Sequence, residues 1–112
     1  MIIHSRASAN FPHLAPQGFR DYTYPGTTTQ WPSAMTMSAT WDVDAVHAWA
    51  QAMADEFVAK GVNVFLGPGV NVARTPLNGR NFEYVSGEDP YLGSELVRPL
   101  VRGIQSKGMH HI

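Results

Sequence analysis

Between residues 42 and 60 the apolar positions Val43, Val46, Ala50, Met53 and Phe57 recur at steps of three and four, while Asp44, Gln51, Asp55 and Lys60 fall elsewhere on the helical wheel. This spacing predicts an amphipathic helix. Thr40-Trp41-Asp42 supplies capping oxygens at its start, Asp42 and Asp44 suit the positive end of the helix dipole, and Gly61 stands where a left-handed C-terminal cap belongs. The period then changes. Val62-Asn63-Val64-Phe65-Leu66 reads as a short strand, and Gly67-Pro68-Gly69 as a tight turn at its C-terminal end.

A second helix is predicted from Asp89-Pro90, with Asp as N-cap and Pro in the first helical position. Leu92, Leu96, Leu100 and Ile104 form its apolar stripe, Pro99 is expected to kink or divide it, and Gly108 closes it. Residues 34–39, Ala-Met-Thr-Met-Ser-Ala, alternate weakly and suggest a short strand. Upstream, Pro12, Pro16, Gly18, Pro25, Gly26 and Pro32 recur too often for a helix or central strand, so residues 1 to about 33 read as irregular loop. Phe19, Tyr22, Tyr24 and Trp31 make that loop too aromatic for a disordered linker. Helix, Gly, apolar strand and Gly-rich turn together predict an α/β fold with parallel strands.

Composition narrows the function classes. The chain has 112 residues, enough for one ordinary domain. A net charge of −1 makes nucleic acid a poor partner, because phosphate neutralisation needs a basic surface. The absence of cysteine excludes disulfides, thiolate metal sites and a cysteine nucleophile. No apolar run reaches the roughly 18–20 residues of a membrane span, and the first residues lack the apolar stretch of a signal peptide, which leaves localisation open. Charged residues are only 15%, low for a free-standing small domain and closer to the interior of something larger.

Chemistry concentrates in the long segment from Gly67 to Asp89. The Gly67-Pro68-Gly69 turn lacks the Lys-Ser/Thr of a P-loop and the third glycine of a dinucleotide fingerprint, so no cofactor is expected there. The five histidines, His4, His13, His47, His110 and His111, show no chelating spacing, and no metal site is expected. Arg74, Arg80, Glu83, Glu88 and Asp89 share one loop at the C-terminal end of a strand, the end at which parallel α/β folds bind ligands. A guanidinium presents fixed donors suited to vicinal hydroxyls or a carboxylate. On composition alone, mutual pairing of these charges within the loop is the stronger expectation.

Gly79-Arg80-Asn81-Phe82-Glu83, followed by Gly87-Glu88-Asp89-Pro90-Tyr91-Leu92, resembles glycoside hydrolase family 3, the β-glucosidase family. Gly61–Pro68, Trp31-Pro32-Ser33, Ala39-Thr40-Trp41-Asp42 and Gly103-Ile104-Gln105 agree in order, so the resemblance covers roughly residues 16–108. It implies that residues 1–112 are a fragment of an N-terminal domain, about two β/α units of a TIM-like barrel with a loop-rich N-terminus. It further implies retaining hydrolysis of β-glucosides, by two carboxyl groups about 5–5.5 Å apart. The family's nucleophile and acid lie beyond this segment, so the chain holds no catalytic residue and is expected to be inactive alone; its partners are the remainder of a longer enzyme and a β-glucoside or related saccharide.

By the same resemblance Arg80 binds glucose hydroxyls, while Glu83, Glu88 and Asp89 support the loop. A family aspartate expected near Leu14-Ala15-Pro16 is replaced by Leu14, and Asp21 aligns elsewhere. Lys107-Gly108-Met109-His110-His111-Ile112 does not reproduce the family's sugar-binding Lys-His pair. Two other readings stand beside this one: a non-catalytic sugar-binding module, and a structural α/β module without ligand.

Overall fold

The computed structural model describes residues 29–111. Leu14, Asp21 and most of the expected N-terminal loop lie outside the described residues. Helices α1 (Ala34–Ser38) and α2 (Val43–Ala59) come first, followed by strand β1 (Val64–Phe65), helix α3 (Pro90–Gln105) and strand β2 (His110–His111). The long helices start where their caps predict. The Asp42 carboxylate accepts from the backbone N–H groups of Asp44 and Ala45, and Asp89 accepts from Tyr91. Both also end as expected, with Gly61 at φ 76° and Gly108 at φ 78°, a region glycine enters without a Cβ penalty.

The core is the α2–α3 contact. Val46, Trp49, Ala50, Met53, Ala54 and Phe57 from α2 share a buried cluster with Leu96, Leu100 and Ile104 from α3, joined by Ala34, Val62, Phe65, Val85 and Met109. Burial of each large side chain contributes roughly 1.5–3 kcal/mol before the entropy of ordering is subtracted. Phe57 and Phe65 meet edge to face with ring centroids 5.6 Å apart, which fastens β1 to α2. Gly103 brings the helices close: a Cβ there would lie 2.7 Å from Ala50 Cβ and 2.8 Å from the His47 carbonyl oxygen.

β1 and β2 pair in parallel, Val64 opposite His110 and Phe65 opposite His111, with α3 as the crossover. The sequence-based strand at 62–66 is therefore paired over two residues, and β2 was not anticipated. Its signal was present in Gly108-Met109, which repeats the helix–Gly–apolar rhythm of Gly61-Val62.

Two expectations are overturned. Residues 34–39 form α1, not a strand: Ser33 Oγ accepts from the Thr36 N–H as N-cap, and Ala34 and Ser38, one turn apart, are the buried pair. Pro99 does not divide α3, which runs unbroken to Gln105. Its ring is buried, and His47 Nδ1–H donates to the Pro99 carbonyl across the helix interface at 2.9 Å. Packing and this tie offset the ladder bond that proline removes.

Candidate functional site

The segment from Gly67 to Asp89 is long for a loop but folded on itself. Gly69 bridges Tyr84 in parallel, Val85 N–H donates to the Gly69 carbonyl at 3.0 Å, Ala73 N–H to Gly87 at 2.6 Å, and Ser86 Oγ to Val70 at 2.8 Å. Two sub-segments, 69–73 and 84–87, thus lie side by side beyond the C-terminal end of β1. Gly69 is required by this approach, since a Cβ there would meet the Tyr84 ring at 2.5 Å.

The hairpin-like excursion between them is held by amide side chains. Asn78 N–H donates to the Thr75 carbonyl, Asn78 Nδ2 to Asn81 Oδ1, and Asn81 Nδ2 to the Thr75 carbonyl, the last two at 2.9 Å. Asn78 Oδ1 also receives the Arg80 backbone N–H. A single 3-10 turn, Asn81–Glu83, follows with Arg80 as its cap. Three residues per turn eclipse positions i and i+3, so Glu83 comes to lie beneath Arg80.

The result is a fork-on-fork pair. Arg80 Nε donates to Glu83 Oε1 at 2.6 Å and Arg80 Nη2 to Oε2 at 2.8 Å. The Glu83 side chain is 13% exposed and that of Arg80 66%, so the carboxylate is the anchor and the guanidinium the presented group. The hydrogen bonds from Arg80 hold the Glu83 carboxyl below the usual glutamate range against a desolvation that opposes them, and Glu83 raises Arg80 further above an already high value. Of the five N–H donors of a guanidinium, Glu83 occupies two, and three remain for another acceptor.

Arg80 and Glu83 line a pocket of about 270 Å³ with Tyr84, the Gly67–Gly69 turn and the apolar side chains of Trp49, Met53, Phe65 and Leu100. Trp49 Nε1 is buried with no hydrogen-bond partner among the described residues, an arrangement that costs about 1–3 kcal/mol.

The other expected site residues are more dispersed. Asp89 acts as the N-cap of α3. Glu88 is exposed and, like Arg74, has no ion pair among the described residues. Mutual pairing of the loop charges therefore holds for Arg80 and Glu83 only. Tyr84 and Trp49 were not singled out from the sequence; Tyr84 enters the site through its pairing with Gly69, a contact fifteen positions apart. Among the described histidines, His47 bonds to α3, and His111 Nε2 lies 2.9 Å from Gln105 Nε2.

A parallel β–α–β unit, with an arginine-bearing loop leaving the C-terminal end of its first strand, defines an α/β protein of the ligand-binding kind. Residues 17–112 match the glycosyl hydrolase family 3 N-terminal domain, and the chain belongs to that family of glycoside hydrolases. The match extends past Gly108 to include β2, further than the motifs alone reached. A beta-glucosidase of Bacteroides ovatus is 43% identical over 95 residues, covering 81% of this chain and 13% of its own. An exo-alpha-(1->6)-L-arabinopyranosidase of Bifidobacterium longum is 47% identical over 81 residues, covering 72% of this chain and 11% of its own. Beta-glucosidase 3B of Thermotoga neapolitana, solved in complex with alpha-D-glucose, superposes with a TM-score of 0.76 at 35% identity over 87% of this chain and 14% of that one. The chain thus spans about one-eighth of the length of these relatives.

Proposed function

We propose that this chain is a sector of a (β/α) barrel, about two β/α units, in a retaining glycoside hydrolase of β-glucosidase type. Arg80 supplies hydrogen bonds to hydroxyls of the sugar being cleaved, and Glu83 fixes its orientation. The observation that carries this reading is the fork-on-fork pair, which leaves three guanidinium donors uncommitted on a largely exposed side chain lining the pocket beyond the C-terminal end of a parallel strand. Fixing one edge of the guanidinium removes the entropy of ordering a long side chain when sugar binds. Asp89 supports the same loop by setting where α3 begins.

The nucleophile and the acid of the retaining mechanism are supplied by other parts of a longer enzyme. The nucleophile carboxylate attacks the anomeric carbon as the acid protonates the departing oxygen, and water later releases the sugar. Relatives named for a beta-glucosidase and for an arabinopyranosidase align equally well, so both sugars are candidate substrates.

The test is a chimaera in which residues 17–112 replace the matching segment of the Bacteroides ovatus beta-glucosidase. Hydrolysis of an aryl β-glucoside or an aryl α-L-arabinopyranoside is expected, while the 112-residue chain alone gives no turnover above a catalyst-free blank. A folded chimaera inert toward both substrates contradicts the proposal, as does turnover by the chain alone.

A further inference from the structure

The loop's second arginine has the opposite circumstances to its first. Arg74 is exposed, and no carboxylate or carbonyl pairs with its guanidinium among the described residues. It lines a separate pocket of about 250 Å³ with Asn71, Thr75, Asn78, Asn81 and Tyr84. That volume lies just below the roughly 300 Å³ at which small-molecule pockets commonly begin, which suits one ring rather than a chain.

Two properties of the lining select the ligand chemistry. First, it contains no Asp or Glu, so the Arg74 charge is uncompensated within the pocket and favours an anion. A guanidinium fork matches a carboxylate by two parallel N–H···O bonds. Second, the remaining polar groups are amides and hydroxyls, which donate to and accept from alcohol groups. Asn78 and Asn81 are already bonded to each other and to the Thr75 carbonyl, and so form a fixed wall. The side chains of Asn71 and Arg74 have no such commitments among the described residues and are available to a ligand. Tyr84 lines both this pocket and the one beside Arg80, so the two adjoin at this residue.

We propose that the Arg74 pocket is a second binding site, distinct from the Arg80 site, for a hydroxylated carboxylate of sugar-acid type. The carboxylate sits on the Arg74 fork and the ring hydroxyls meet the asparagine amides. Nothing in this assignment depends on Arg80 binding a sugar.

The experiment is an NMR titration of the full 112-residue chain with glucuronate, glucose and acetate, following the side-chain amides of Asn71, Asn78 and Asn81. Glucuronate is expected to shift these amides and to bind more tightly than either of the others, because glucose lacks the carboxylate and acetate the hydroxyls. Arg74→Gln should weaken glucuronate at least about tenfold, the worth of a charge-assisted hydrogen bond. Asn71→Asp, which places a negative charge in the lining, should weaken it as well. Both positions are exposed, and far-UV circular dichroism of each variant checks that the helices persist. Equal affinity for acetate and glucuronate, no preference over glucose, no shift of these amides, or unchanged binding in Arg74→Gln would each overturn the proposal.

Discussion

Gly103→Ala tests the packing that holds the site in place. In a solvent-exposed helix this exchange stabilises by about 1 kcal/mol, because alanine loses less backbone entropy than glycine. Here the new Cβ meets Ala50 Cβ at 2.7 Å, the His47 carbonyl oxygen at 2.8 Å and the Gln51 backbone nitrogen at 3.3 Å. Carbon–carbon contacts are optimal near 3.5–4.0 Å, so α2 and α3 must separate by roughly 0.8 Å. Two of the three obstructing atoms are backbone, which no rotamer change can move. Separation loosens the contacts of Val46, Ala50 and Phe57 with Leu96, Leu100 and Ile104, the centre of the core. Overpacking of this kind costs about 1–3 kcal/mol, and after the propensity gain of about 1 kcal/mol a net change between no gain and a loss of about 2 kcal/mol is expected. Urea unfolding followed by far-UV circular dichroism at one protein concentration measures it. Gly79→Ala, with nothing within 4 Å of its Cβ, is the control and should not lose stability. A Gly103→Ala protein about 1 kcal/mol more stable than the parent, as at an exposed helical site, would refute the close α2–α3 crossing.

The carboxyl of Glu83 should titrate below an ordinary glutamate, and Arg80→Ala should return it toward the usual range, as read from its carboxyl carbon shift in NMR. Because the folded value is the depressed one, the contribution of the pair is present above the ordinary glutamate pKa and is lost as pH falls through the folded value. The resonances of the 80–83 turn should therefore report its release only on acidification, and no change between neutral and mildly alkaline pH is expected. In the family 3 chimaera, Glu83→Gln should lower kcat/KM less than removal of Arg80 itself, since one hydrogen bond to the guanidinium can survive; an equal or greater loss would contradict the order of roles.

Elements with punctuation at both ends were legible. Asp42 and Gly61 bracket α2, and Asp89 and Gly108 bracket α3 with its closing turn, because capping is a local matter between neighbouring backbone groups. The sequence Ala-Met-Thr-Met-Ser could not distinguish strand from helix, since five residues complete barely more than one turn and fit either period; the Ser33 cap and the packing of Ala34 and Ser38 decide it. Strand lengths were overestimated because a strand exists only opposite a partner, and β2 supplies two paired positions. Arg80 and Glu83 were both singled out through the family resemblance, while their pairing across three positions emerges only from the 3-10 turn between them. The approach of Tyr84 to Gly69 depends on the loop folding back, which no local pattern encodes.

The central claim is that Arg80 supplies hydrogen bonds to the sugar undergoing cleavage, and kcat/KM of the family 3 chimaera measures this most directly. Arg80→Ala should reduce kcat/KM for its glycoside by about 10- to 150-fold, the equivalent of the 1.5–3 kcal/mol of a charged hydrogen bond. Arg98→Gln, an exposed position on α3, is the matched control for loss of one positive charge and should leave kcat/KM within about twofold of the parent chimaera. Equal values for the Arg80→Ala and Arg98→Gln proteins, with both folded, would contradict the claim.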